Sequence, residues 1–250
     1  MVLAFGPHPK LLDTGRFKIP SLLVTNGADL GKTNHVFTPS VPGPTYPNRH
    51  FFHCATTAGY TANNGAFLGV PCRTIYENMA DHGNSYKFYS PQLKSTPLLA
   101  GSLPQYSFID PDWLKNDNHP PNNLHAGEQY VKDIYEAIRA GPQWQNTVFV
   151  LTYDENGGFY DHVAPPTCVP RPDNINPDSN VGDFQFDRLG PRVPTIIISP
   201  YVSKGAVYHS DDTSRFFEHS SIPATQKLFN LPNFLTPRDA AALHLMMLFH

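Results

Sequence analysis

Cysteine is scarce in this chain: Cys54, Cys72 and Cys168 are the only three in 250 residues. An odd set without CxxC spacing argues against a zinc knuckle and against a disulfide framework, and leaves room for one bridge. Charge is sparse as well, at 16% of residues, with acids and bases interspersed and a formal net charge of -3. No basic footprint is present with which to grip nucleic acid. No apolar run approaches the ~20 residues that a membrane span needs. The opening "MVLAFGPHPKLLDTGRFKIP" lacks a basic n-region followed by a hydrophobic h-region. No signal peptide is therefore read, and secretion is expected only if the natural N-terminus is missing. There is no internal repeat.

Proline and histidine are abundant instead. The 26 prolines are roughly twice the usual share of about 5% and imply long, stiffened loops. The 12 histidines direct attention to metal or phosphate chemistry. Hydrophobic residues make up 40%, enough to bury a core, and the length suits one sizeable α/β domain.

Periodicity places the elements. "FTPSVPGPTYPNRH" has Pro42, Pro44 and Pro47 spaced so that it reads as a rigid loop, through which neither helix nor interior strand runs. Arg73 to Gly83 fits a short helix, and "SYKFYS" alternates like a strand. From Gly127, "GEQYVKDIYEAIRAG" sets Val131, Ile134, Tyr135 and Ile138 on one face of an amphipathic helix that Gly141 and Pro142 stop. "NTVFVLTY" and "VPTIIISPYV" are continuous β-branched and aromatic runs of the kind buried on both faces of a sheet. Helices must then cover a mostly parallel sheet from both sides, which predicts an α/β/α sandwich. The proline-rich stretch between these runs is too long for a simple connector and reads as a loop covering a site. One more helix is expected from about Ile222, with Pro223 in its first turn.

The chemistry gathers behind "NTVFVLTY". Ligands of open parallel sheets bind beyond the carboxyl ends of strands, and Asp154 and Glu155 stand there. Asn156, Gly157 and Gly158 let the chain turn at once and bring both carboxylates towards one hard cation, Ca²⁺, Mg²⁺ or Mn²⁺; a capped, solvated turn is the plainer alternative. An EF-hand is excluded because Gly158 stands where that loop needs an acid or Asn. Asp161 and His162 follow one turn on, as an orienting pair or as pocket lining. "NDNHPPNN" holds Asp117 and His119 on a proline-locked loop. Thr45, between prolines, is a nucleophile only if a metal or base activates it, and Arg49 suits either a bidentate phosphate clamp or a loop-pinning ion pair.

In this order, "PGPTYPNR", "NDNHPP", "TYDENGGFYDHVAPP", "GPRVPTIIISPYV" and "EHSSI" resemble the phosphoesterase family that contains the non-specific phospholipases C of bacteria and plants and a group of acid phosphatases, fungal members in particular. The similarity runs from about Phe37 to Asp239, and YDE-x-GGFYDHV-x-PP is its most specific part. The resemblance implies an alkaline-phosphatase-like three-layer α/β/α core that hydrolyses phosphate esters or phospholipid head groups through a hydroxyl on a metal. Thr45 matches the nucleophile, Asp154 and Glu155 the metal ligands together with Thr45, and His119 the imidazole at the phosphoryl group. Asn48, Arg49, Asp117, His162 and His219 match positions expected to bind substrate. The departure is at the start: no Glu-Asn-Arg-Ser-Phe-Asp-like motif precedes Thr45. Residues 1–36 therefore read as an atypical segment, and 37–250 as a phosphoesterase domain incomplete at its N-terminal end. A member that only binds phosphate or lipid head groups is the alternative to a hydrolase.

Overall fold

The computed structural model describes residues 2–5, 21–24, 37–66, 69–89, 101, 103–179, 181–202, 208, 214–225 and 229–248. The reading of residues 1–36 falls outside these, except for two short strands. In chain order the elements are β1 (Val2–Phe5), β2 (Ser21–Val24), α1 (Thr45–Cys54), α2 (Asn63–Ala66), α3 (Ile75–Asp81), β3 (Tyr86–Tyr89), β4 (Tyr106–Ile109), α4 (Leu124–Ala140), β5 (Val148–Leu151), β6 (Ile196–Ser199), α5 (Ser221–Ala224) and α6 (Pro237–Ala241).

The strands form one sheet in the order β2-β6-β5-β1-β4-β3. The α/β class stands, but the expectation of a mostly parallel sheet does not: among the described residues only β3 and β4 pair in parallel, while β1–β4, β1–β5, β2–β6 and β5–β6 are antiparallel. Apolar runs report burial on both faces and are silent about direction. Direction is set by the connection. β5 ends at Leu151, opposite Ile196, where β6 begins, and residues 153–157, 159–161 and 192–194 of the long connection line a cleft beside Leu151. The chain thus re-enters the sheet at the end it left.

Successive side chains of a strand point to opposite faces, and both faces are covered. On one, Phe108, Val148, Val150 and Ile197 pack with Phe52 of α1, Ile75 and Met79 of α3 and Ile222 of α5. On the other, Ile109 and Phe149 pack with Ile134, Ala137 and Ile138 of α4 and with Trp144. The amphipathic helix is therefore where its periodicity put it, starting at Leu124 behind an Asn123 cap. The short helix read over 73–83 is α3. Its Thr74 and Glu77 form a reciprocal capping box, and Gly83 follows it at φ +70°.

One proline-rich segment departs from the sequence reading. The stretch expected to be a rigid loop becomes helical at Thr45, with Pro44 as the residue before the helix and Pro47 as its third residue. The first-turn N–H groups of a helix have no intrahelical partner, so a proline there costs no hydrogen bond. Asn48 locks the entry: its side-chain amide donates to the carbonyls of Val41, Gly43 and Pro44 and accepts from the Val41 N–H.

Phe149→Ala should therefore lower unfolding free energy by about 3–5 kcal/mol, and Thr74→Ala by about 1 kcal/mol. Urea titration checks both; equal effects would show that Phe149 does not anchor the α4 face.

Candidate active site

Strands β4 and β5 both run antiparallel to β1, so both end on the same side of the sheet, flanking β1. Asp110 follows β4 directly, and Asp154 follows β5 after Thr152 and Tyr153. Helix α1 lays Arg49 between them. Its Nε donates to Asp154 Oδ2 at 2.8 Å and its Nη1 to Asp110 Oδ2 at 2.5 Å. The guanidinium also lies 4.9 Å from the centre of the Trp113 ring. Burial alone would lower the pKa of Arg49, but the Asp154 and Asp110 carboxylates outweigh it and raise it. The two acids diverge. Burial pushes Asp110 up against the pull of Arg49, and its Oδ1 is buried without a partner among the described residues. Asp154 also feels burial, yet the charge and hydrogen bond of Arg49 hold it below the usual carboxylate range.

Thr45, the first residue of α1, lies four positions before Arg49, on the same helix face one turn away. Thr45, Arg49, Asp117, His119, Asp154 and Glu155 all line one cleft of about 670 Å³. The loop carrying Asp117 and His119 is tied internally: Asp117 accepts from the Leu114 N–H and from the Asn122 side chain, and the Asn118 amide donates to the Tyr153 hydroxyl at 3.0 Å. A Cβ on Gly127 would fall 1.8 Å from Asn118 Oδ1, so any side chain there would displace Asn118 from its contact with Tyr153. His119 is exposed, and its Nδ1 lies 2.7 Å from the Pro120 carbonyl. A carbonyl only accepts, so Nδ1 donates in this contact and Nε2 is the ring nitrogen left for another partner.

Other expected residues lie elsewhere. Asn48 is buried and its amide is committed to the Val41–Pro44 turn, so it shapes the start of α1 and does not face the cleft. His162 is exposed and does not line the cleft; its Nδ1 is 3.6 Å from Asp161, but that carboxylate receives Nε and Nη2 of Arg192 at 2.7 and 2.8 Å. Local sequence could not show that partner 31 positions away. His219 is fully buried, stacked on Phe52 at 3.9 Å between ring centres. Its Nε2 donates to the Tyr153 carbonyl and its Nδ1 accepts from the Ser40 N–H. Burial lowers its pKa to about 3, so it is a neutral brace behind the Asp154 turn.

The sharp turn after β5 is present, with Gly157 and Gly158 at φ +64° and +76°. It does not, however, deliver both carboxylates to one point. Glu155 folds back to accept from the Gly157 N–H at 2.6 Å, and Asp154 holds Arg49. Among the described residues no group of three or more His, Cys, Asp or Glu side chains could hold a metal ion. Thr45, Asp154 and Glu155 as arranged do not fit a Ca²⁺, Mg²⁺ or Mn²⁺ ion, because a guanidinium already occupies the cation's position beside Asp154.

Residues 93–232, more than half of the chain, match the Phosphoesterase family. The chain belongs to this family. It is 40% identical over 239 residues to non-specific phospholipase C3 of Arabidopsis thaliana, covering 80% of this chain and 45% of that protein. It is 41% identical over 242 residues to non-specific phospholipase C1 of the same plant, with 81% and 45% covered. With the non-hemolytic phospholipase C of Pseudomonas aeruginosa it shares 29% over 227 residues, 72% of this chain and 31% of that one. The chain thus spans less than half the length of these relatives. Phosphoesterase family members are generally metal-dependent, which gives the guanidinium in this cleft its interest.

Sequence reading missed Asp110 and Trp113. The signal was available: "YSFIDPDW" is a short apolar run ending in an acid and a proline, the same grammar as "TVFVLTYDE". No helix among the described residues is long and apolar enough to cross a membrane.

The His219 shift sets a pH dependence. The unfolded chain takes up a proton below about pH 6.5, whereas the native imidazole resists protonation down to about 3, so its contribution is present above 6.5 and lost as pH falls. His219→Phe should destabilise at pH 7, and its deficit relative to wild type should shrink by roughly 2 kcal/mol by pH 5. Urea midpoints at the two pH values test this; a constant deficit would contradict it.

Proposed function

We propose that the chain is a phosphate ester hydrolase, phospholipase C-like or acid phosphatase-like, with Thr45 as nucleophile. Residues 37–250 carry its phosphoesterase site, and the helix-covered sheet, which also takes in the short strands β1 and β2 ahead of residue 37, corresponds to an alkaline-phosphatase-like three-layer core. The observation that carries this is the convergence of a hydroxyl at the start of α1, an arginine one turn on, a loop imidazole and the acids Asp154 and Glu155 in one cleft. Family membership and relatives named as phospholipases C point the same way.

In this reading Nε2 of His119 accepts the Thr45 proton as Oγ1 attacks phosphorus in line. The Thr45 O–P bond forms, the P–O bond to the alcohol breaks opposite it, and the leaving alkoxide takes its proton from solvent in the open cleft. Arg49 and the N-terminal end of α1 offset the charge on the equatorial oxygens. Water then attacks the phospho-threonine, releasing phosphate or a phosphorylated head group and restoring Thr45. Asp154 and Asp110 hold the guanidinium, and Asp117 holds the His119 loop. No step is assigned to a divalent ion.

Release of p-nitrophenol from its phosphate and its phosphorylcholine ester is the test. Thr45→Ala should cut kcat by at least about 100-fold with the fold intact by circular dichroism. Preference for the phosphorylcholine ester marks a phospholipase C-like enzyme. Equal turnover by wild type and Thr45→Ala would overturn the assignment, as would no turnover of either ester.

A further inference from the structure

We infer that Arg49 is the resident cation of this cleft: its guanidinium and a divalent metal ion compete for the same strand-end carboxylates, and in the resting protein the guanidinium holds them. The inference does not depend on whether Thr45 is a nucleophile.

Three observations carry it. Arg49 makes separate charge-assisted hydrogen bonds to two acids from different strands, Asp154 at 2.8 Å and Asp110 at 2.5 Å, so one guanidinium bridges both. Glu155, the other acid after β5, is turned onto its own backbone at Gly157 and does not join Asp154 around a common point. Asp110 Oδ1 is buried with no partner among the described residues, a strong acceptor that a single arginine leaves unused. Two carboxylates with a spare buried oxygen make a partial cage for a hard cation. A divalent ion entering it would sit beside the guanidinium, on which Trp113 stacks at 4.9 Å. Like charges this close in a poorly solvated site repel strongly. The site is therefore either arginine-filled or metal-filled, and the geometry is that of the first state.

The consequence is an exchange. With Arg49 in place, oxygen-seeking cations bind weakly; with the guanidinium removed, Asp110 and Asp154 lose the group that bridges them and should capture one. The probe is Mn²⁺, with free ion measured by electron paramagnetic resonance on the full chain. Arg49→Gln is expected to bind one Mn²⁺ at least tenfold more tightly than wild type. Methylguanidinium at millimolar concentration should reverse that gain by refilling the vacated place. Asp110→Asn in the Arg49→Gln background should abolish it. Should Arg49→Gln not fold, Arg49→Lys keeps the charge while reaching only one carboxylate, and an intermediate Mn²⁺ affinity is expected.

Wild type binding Mn²⁺ as tightly as the Arg49 variant would overturn the inference, because metal and arginine would then coexist. No gain in Arg49→Gln or in Arg49→Lys would overturn it too, as would a gain that survives Asp110→Asn. Esterase activity is read separately, so loss of the hydrolase assignment leaves this result interpretable.

Discussion

Two carboxylates at the ends of strands on either side of β1 need a counter-charge, and Arg49 supplies it for both. Strands lie about 4.8 Å apart, so β4 and β5, separated by β1, place their ends roughly 10 Å from one another. A forked guanidinium suits such a gap, since each arm aims at a different acid. Removing one partner of a buried pair typically costs about 3–5 kcal/mol, because the other charge is stranded. The ion network is thus less a bonus in stability than a condition for leaving two acids inside the protein.

Everything else at the cleft is arranged to bring that arginine there and hold the loops around it. The Asn48 clamp fixes where α1 starts, and Phe51 and Phe52, both fully buried, fix its rotation so that Thr45 and Arg49 face the sheet end. Arg238 lies 5.3 Å over the ring of Phe51 and donates to the carbonyls of Ser40 and Phe186, tying the helix entry to the connection between β5 and β6. From the other side, Asp161 and Arg192 anchor the segment after the glycine turn, and His219 braces Tyr153 ahead of it from behind. Function and fold share these contacts, so the site depends on rigid elements even though its reactive groups come largely from loops.

Much of this was legible in sequence because the relevant physics is local. The 3.6-residue periodicity of "GEQYVKDIYEAIRAG" located α4, and the uniform hydrophobicity of "TVFVL" and "TIIIS" located β5 and β6. The Gly-Gly pair after Asp154 announced a turn that two left-handed residues now make. What was not legible depends on partners far apart in the chain. Strand direction follows from the path of a 44-residue connection, which no pattern within β5 or β6 encodes. Arg49 meets Asp154 across 105 positions and Asp110 across 61, so spacing alone left a phosphate clamp and a loop-pinning pair equally open. His219 shows the same limit: its type suggested chemistry, while its fully buried place on Phe52 makes it structural. The start of α1 was misread for another reason: proline forbids a helix interior and is harmless in the first turn, and composition does not say which of the two applies.

The most direct test of the central claim is a double-mutant cycle between Arg49 and Asp154, using Arg49→Met, Asp154→Asn and the double variant, with unfolding free energies from urea titration. A pair that organises the cleft should show a coupling of about 2 kcal/mol or more, with the double variant more stable than additivity allows. Additive losses, with coupling below about 0.5 kcal/mol, would mean that the two side chains meet at the cleft without depending on one another, and the account would fail.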